Sequence, residues 1–211
     1  MGNISPGGKN IIIDAFKKAN LKNGCDILDI GCGDGSTLAS LKEEFGINAT
    51  GIDKSSALIK QGLEKYENID LQEGEADFLD FSSFTFDAVI MECILSVIEM
   101  KVEALHEAYC LLRNEGKLII TDLFGDEEGM LDKDNIVTEC EDMGFTLLET
   151  EDRTDDLATF TAEKIMECGS LSSYFEAITP EGDDTESFCK AAGKSNKAKY
   201  LMLLLEKRKP E

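Results

Sequence analysis

Residues 27 to 37 read Ile-Leu-Asp-Ile-Gly-Cys-Gly-Asp-Gly-Ser-Thr. Ile27 to Ile30 form an apolar run broken only by Asp29, and glycines then stand at alternate positions, Gly31, Gly33 and Gly35. From Ser36 to Phe45, apolar Leu38, Leu41 and Phe45 recur at spacings of three and four, the period of a helix. The stretch predicts a strand, a tight glycine loop and a helix. Glycine is needed where the backbone takes positive φ or lets a ligand come close. The first turn of the following helix offers unpaired N–H groups. Such a loop suits a nucleotide-like cofactor.

The dinucleotide fingerprint is G-x-G-x-x-G, with an acid for the ribose about 20 residues further on. Here the third glycine comes one residue early, giving G-x-G-x-G, and Asp29 stands two positions before Gly31. A second apolar strand, Ala49 to Ile52, ends in Asp53, 18 residues after Gly35. The run D-x-G-C-G-D-G with a G-I-D strand end resembles the class I S-adenosylmethionine (SAM)-dependent methyltransferases, in the style of the small-molecule "type 11" group. An NAD(P)-dependent oxidoreductase is the other reading of a glycine loop, and the early third glycine opposes it.

The resemblance implies an α/β fold: a Rossmann-like seven-stranded, mostly parallel sheet, helices on both faces, and an antiparallel last strand beside the fifth. It implies SAM as cofactor, S-adenosylhomocysteine as product, and a cofactor site at Asp29, Gly31, Cys32, Gly33, Gly35, Asp53 and Lys54. The run Gly74 to Phe81, G-E-A-x-x-L-x-F, is similar to the family's G-D-A-x-x-L-P-F. Carried over, Glu75 accepts from the adenine amino group and the Ala76 N–H meets the ring, with Glu in place of the commoner Asp. Phe86 to Met91 reads as a buried strand running into Glu92, and in the family the end of this strand touches the methionine part of SAM, here Met91 and Glu92. Leu111 to Asp122 resembles the family's L-R-P-G-G-x-L turn and strand, with Asn114 and Glu115 departing from Pro-Gly.

The 211 residues are expected to form one such domain, with residues 1–24 as an N-terminal lid or plain flanking helix. A helix is predicted over Asn10 to Asn20, with Ile12, Ala15, Phe16 and Ala19 on one face. Ser55 reads as the N-cap of a helix to about Tyr66, with Ala57, Leu58, Gly62 and Leu63 inward. The helix Lys101 to Leu112 carries an apolar stripe of Val102, Leu105, Tyr109 and Leu112, with His106 beside it. Asp134 to Met143 reads as a helix stopped by Gly144, then a strand, Phe145 to Thr150, and finally a strand from Ala198 to Glu206. Between these last two strands, residues 151–197 are far more than a hairpin needs. They read as two helices from Asp152 to Ile178 parted near Gly169, an acidic turn at Pro180 to Asp184, and a helix over Thr185 to Ala192. Leu157, Phe160, Ile165, Leu171, Phe175 and Ile178 give them a packing face, so the stretch is an added cap over the acceptor or a helical pair on the sheet edge.

Composition narrows the function further. The net charge is −22, from 21 Lys and Arg against 43 Asp and Glu. A nucleic-acid backbone needs basic surface, so DNA and RNA are not expected as substrates. The longest late apolar run, Leu201 to Leu205, is too short to span a bilayer. No signal-like start is evident, and Pro6 breaks the myristoylation motif opened by Met1-Gly2, so a cytoplasmic protein is expected. Seven cysteines lack any C-x-x-C and His106 is the one histidine, so no zinc site is expected. The function implied is methyl transfer from SAM to a small-molecule acceptor; the alternative is a SAM-binding subunit or sensor without turnover. Glu92, Cys93 and His106 are candidate bases, but none has a partner visible in sequence and no catalytic residue is assigned. Cys93 reads as a contact for a soft acceptor or as a buried inert thiol; Cys32 is given no chemical role. The acceptor and the oligomeric state are not legible.

Overall fold

Alternation is the rule that builds the centre of this protein. The computed structural model describes residues 5–126, 130–170, 173 and 198–209. Its strands are β1 (Asp26–Ile30), β2 (Asn48–Asp53), β3 (Asp70–Glu73), β4 (Phe86–Glu92), β5 (Leu112–Phe124), β6 (Phe145–Asp152) and β7 (Lys199–Lys207). Its helices are α1 (Lys9–Lys18), α2 (Ser36–Phe45), α3 (Ser56–Lys65), α4 (Lys101–Leu111), α5 (Lys133–Met143) and α6 (Thr154–Cys168). The strands form one seven-stranded sheet in the order β3-β2-β1-β4-β5-β7-β6. The pairs from β3 to β5 are parallel, and β7 runs antiparallel to both β5 and β6. This is the mostly parallel sheet with one reversed strand that the sequence implied.

Successive side chains on a strand point to opposite faces, so each strand feeds two cores. Ile27, Ala88, Ile90, Ile119, Met202 and Leu204 join one apolar cluster with α1, α2 and the α6 residues Leu157 and Phe160. Leu28, Ile30, Val89, Met91, Leu118, Ile120, Leu203 and Leu205 join the other, with α4 and α5. Helices therefore cover both faces, and the central strands are apolar on both sides, as a buried parallel sheet requires.

Two helix faces differ from the sequence reading. On α3, Ile59 and Gly62 are buried whereas Leu63 is 53% exposed. Gly62 sets this rotation: a Cβ there would lie 2.4 Å from the Asp34 carbonyl oxygen, so the glycine lets the helix lie against the cofactor-type loop. On α4 the buried residues are Ala104, Leu105, Ala108 and Leu111, and Val102 is 44% exposed. The two alanines let that helix sit close to the sheet. Elsewhere local chemistry holds: Ser55 Oγ accepts from the Leu58 N–H, and Gly144 ends α5 with φ 111°.

Of the long connection between β6 and β7, α6 lies within the described residues and Gly169 ends it as a left-handed cap. Leu157 and Phe160 are buried, but Ile165 is 46% exposed and so does not pack as expected. Leu171, Phe175 and Ile178, the turn at Pro180 to Asp184 and the helix over Thr185 to Ala192 lie outside the described residues. The start of α6 is tied to α1 through Arg153, whose guanidinium donates to Asp14 at 2.8 Å.

Candidate functional site

The strand order reverses at β1: β2 follows it on one side and β4 lies on the other. Ligands of open α/β sheets sit beyond the carboxyl ends of the strands at such a point. The glycine loop leaves β1 there. Register places Ile30 beside Ile52 on β2 and beside Met91 on β4, so Asp53 and Glu92 flank the loop.

A cavity opens between them. Gly31, Cys32, Gly33, Asp53, Lys54, Glu75, Ala76 and Glu92 all line it. Cys93, Ile94, Val97 and Ile98 continue one wall, and Ser5, Gly8 and Lys9 cover it from the N-terminal side. Gly33 has φ 56°, and a Cβ built on it meets nothing within 4 Å. Its N–H donates to Asp53 Oδ2 at 2.7 Å, and Asp53 Oδ1 accepts from the Ser55 N–H at 2.8 Å. Asp53 therefore braces both the loop and the start of α3 while lining the cavity. Gly31 is different. Its N–H donates to the Ile52 carbonyl at 2.8 Å, and its missing Cβ makes room for Ile94, whose Cδ1 would lie 2.9 Å away. The loop is pinned from outside by Lys65, which pairs with Asp34 at 3.0 Å.

Three residues expected in the cofactor site do not line the cavity. Asp29 is 2% exposed and buried beneath the loop. Its Oδ1 meets no hydrogen-bond partner, and burial, with the nearby charges of Glu92 and Asp53, pushes its carboxyl well above the usual range. Gly35 begins α2, and a side chain there would run into Leu71 and Ile69, so its role is packing. Met91 has its side chain in the core on the far face of the sheet.

The candidate bases separate equally clearly. His106 is exposed on α4 and lines no part of the cavity. Cys93 lines it in a strained left-handed conformation, φ 55°. Its N–H donates to the Thr121 carbonyl at 2.7 Å, and its Sγ lies 3.3 Å from the Tyr200 hydroxyl. Burial, and then the charges of Asp122 and Glu92, push the thiol well above its ordinary value, so it stays protonated. Glu92 accepts from Ser5 Oγ at 2.6 Å and from Thr37 Oγ1 at 3.0 Å. Sequence reasoning missed Ser5, Thr37 and Tyr200. Thr37 had a signal, since it follows the loop in the first turn of α2; the others are brought in only by the fold. Among the described residues no group of three or more His, Cys, Asp or Glu could hold a metal ion, and no helix is long and apolar enough to cross a membrane.

Comparison with known proteins agrees with this geometry. A family model described as a methyltransferase domain matches residues 27–116, the span from β1 into β5. An O-methyltransferase of Pyrenophora dematioidea is 27% identical over 177 residues, covering 81% of this chain and 66% of that protein. Other curated relatives are matched over 51% and 25% of their own lengths, so the chain spans between a quarter and two thirds of them. Phosphoethanolamine N-methyltransferase 2 of Haemonchus contortus, solved with S-adenosyl-L-methionine, superposes with a TM-score of 0.78 at 20% identity, over 98% of this chain and 54% of that one. The [4+2]-cyclase SpnF superposes at 0.77 with 18% identity, over 96% and 82%. The loop, the strand order with its reversed β7, and the family model that matches residues 27–116 together support a class I S-adenosylmethionine-dependent methyltransferase.

Proposed function

We propose that this chain transfers a methyl group from SAM to a small-molecule acceptor. The observation that carries the reading is the cavity beside Gly33, whose bare Cα faces open space next to the Asp53 carboxylate. The residues present fit the cofactor: an acid at the end of β2 for ribose hydroxyls, Glu75 and the Ala76 N–H for the adenine edge, and a loop free of side chains for the amino-acid arm. Lys54 and Cys32 complete the walls, while Asp29, Gly35 and Met91 act from behind by shaping the loop and strand ends.

SAM supplies a methyl group on a positively charged sulfur, displaced in line by the acceptor. The chain's part is to hold both reactants in line, which is worth ~7–11 kcal/mol. Ile94, Val97 and Ile98 would form the acceptor wall. The N-terminal segment would close over the cofactor as a lid, and residues 151–197 would cap the acceptor, a reading supported by the Arg153–Asp14 tie between α6 and α1. The strongly acidic charge, −22, speaks against nucleic-acid acceptors. The names of relatives such as the O-methyltransferase support a small acceptor.

A second reading, a cofactor-binding protein without methyl transfer, is kept by the likeness to a cyclase, since one fold hosts several chemistries. Calorimetry with S-adenosylhomocysteine, followed by incubation of methyl-labelled SAM with a fractionated small-molecule extract, separates them. Binding with label in a small molecule supports the transferase; binding with no label transferred favours the second reading. Absence of binding would sink both.

A further inference from the structure

Past Glu92 the cavity changes character. Its next wall is Cys93, Ile94, Val97 and Ile98, three aliphatic side chains and one thiol. The lysines that line the cavity, Lys9 and Lys54, stand on α1 and just after β2 instead. Cys93 is the polar member of the wall. Its left-handed φ of 55° is uncommon outside glycine, and such residues persist where their surroundings over-determine them. Two contacts do so here: the Cys93 N–H donates to the Thr121 carbonyl at 2.7 Å, and Sγ lies 3.3 Å from the Tyr200 hydroxyl. Tyr200 is fully buried, and its backbone is clamped to the start of α6. Its carbonyl accepts from the Arg153 N–H at 2.7 Å, and its N–H donates to Thr154 Oγ1 at 3.2 Å. A phenol so anchored fixes where the thiol stands.

This wall has little to offer an alcohol or an amine. A thiol is a weak donor and a weak acceptor. A hydroxyl or amino group that leaves water for it therefore exchanges strong hydrogen bonds for weak ones. Both would also need a base: an alcohol does not ionise near neutral pH, and an alkylamine arrives as ammonium, with an ordinary value of ~10.4. The wall holds none. Burial keeps the Cys93 thiol and the Tyr200 phenol well above their ordinary values, so both stay protonated. Glu92 is engaged by the Ser5 and Thr37 hydroxyls at the cofactor end. A sulfur acceptor meets neither obstacle, since it is soft and polarisable and a thiol ionises near pH ~8.5 without help. Protonation of Cys93 serves the same end, because a thiolate there would be a rival nucleophile.

We propose that Cys93, held by the Tyr200 hydroxyl, is the contact for the acceptor's reacting atom and that the acceptor is a small apolar thiol. This rests on the methyl-transfer reading above and names its substrate class. The acceptor's sulfur, as thiolate, forms the new bond to the methyl carbon. The bond from that carbon to the sulfonium breaks, its electron pair stays on the cofactor's sulfur, and the acceptor's proton passes to water. Cys93 touches the acceptor; Tyr200 is a positioning residue that acts through it.

The test uses the full chain, methyl-labelled SAM and three probes that share one apolar body: benzyl mercaptan, benzyl alcohol and benzylamine. Transfer to the thiol should exceed transfer to the other two by at least about 100-fold in kcat/KM, the low end of what a missing base costs. Equal or faster transfer to the alcohol or the amine overturns the proposal. In a fractionated small-molecule extract, the labelled product should vanish when the extract's thiols are first blocked with a maleimide and the excess is removed on a thiol resin. A product that survives this overturns the proposal too. Calorimetry on the S-adenosylhomocysteine complex reads the contact without turnover. Benzyl mercaptan should bind about 3- to 10-fold more tightly than benzyl alcohol, the scale of one neutral hydrogen bond; equal binding, or none of the thiol, overturns the contact. Cys93→Ser should reverse that order, and Tyr200→Phe should narrow it while S-adenosylhomocysteine affinity holds. A folded Cys93→Ser protein that keeps the wild-type order shows that Cys93 is not the contact. If S-adenosylhomocysteine binds but nothing in the untreated extract is labelled, the methyl-transfer reading fails instead, and calorimetry alone decides the contact.

Discussion

The backbone N–H of Ser96 donates to Asp122 Oδ2 at 3.0 Å inside the protein, joining the loop after β4 to the end of β5. The other carboxylate oxygen accepts from the Leu123 N–H at 2.7 Å. The loop so held carries Ile94, Val97 and Ile98 into the cavity. Burial is the largest influence on Asp122 and lifts its carboxyl from 3.8 to about 6. Because the folded value is raised, its stabilising contribution is full below the unfolded value and is lost as pH rises through about 6. Between pH ~4.5 and ~7.5 that loss amounts to about 2 kcal/mol. Comparison of wild type with Asp122→Asn by urea denaturation at both pH values should therefore move against wild type by about that much. A difference that stays constant would mean that Asp122 is ionised in the fold throughout.

Asp53→Ala removes the proposed ribose contact and the acceptor of the Gly33 N–H together. Hydrogen bonds to charged groups contribute ~1.5–3 kcal/mol, so affinity for S-adenosylhomocysteine should fall about 10- to 150-fold by calorimetry, with the circular dichroism spectrum kept. An unchanged dissociation constant would show that Asp53 only braces the loop.

Two glycines should both lose stability on substitution by alanine but differ in ligand binding. At Gly33 the added methyl meets no atom but sits at φ 56°, so stability should drop by ~1–2 kcal/mol. The methyl also enters the cavity, so the thermal shift on adding S-adenosylhomocysteine should largely vanish. At Gly51 the methyl would lie 2.6 Å from Cys32 Sγ and 2.8 Å from both Leu38 and Leu71. Overpacking of that kind costs ~1–3 kcal/mol. A larger ligand-induced shift in Gly33→Ala than in Gly51→Ala would contradict the cradle.

Lys207 is buried at the end of β7, where its ammonium donates to the carbonyls of Tyr109 at 2.6 Å and Leu112 at 2.8 Å. The same group lies 4.2 Å from the Phe84 ring centre and 4.3 Å from that of Tyr109. Lys207→Met keeps the aliphatic stem and leaves two carbonyls without a donor. It should lower stability by about 3 kcal/mol, read from the urea midpoint, while the folded variant binds S-adenosylhomocysteine like wild type. A loss under 0.5 kcal/mol, the level of an ordinary surface change, would mean that water replaces the ammonium.

The elements that sequence determined are those whose cause is local. The glycine loop between β1 and α2, the Ser55 cap and the Gly144 stop each need only neighbouring residues. The strands announce themselves by apolar runs, and the resemblance carried the reversed last strand. Eight of the eleven residues expected around the cofactor, from Gly31 to Glu92, do line one cavity. The three that do not, Asp29, Gly35 and Met91, were placed by motif alone, and a motif does not say to which side of a sheet a side chain turns. The same gap misplaced the inner faces of α3 and α4, where Gly62 and the alanines Ala104 and Ala108 choose the approach by fitting against other elements. Tertiary structure alone decided the rest. Ser5 reaches Glu92 across 87 residues and Cys93 meets Tyr200 across 107. Lys207 finds the Tyr109 carbonyl across 98. No local pattern encodes such pairs, because each partner is chosen by which strand ends the sheet order brings side by side.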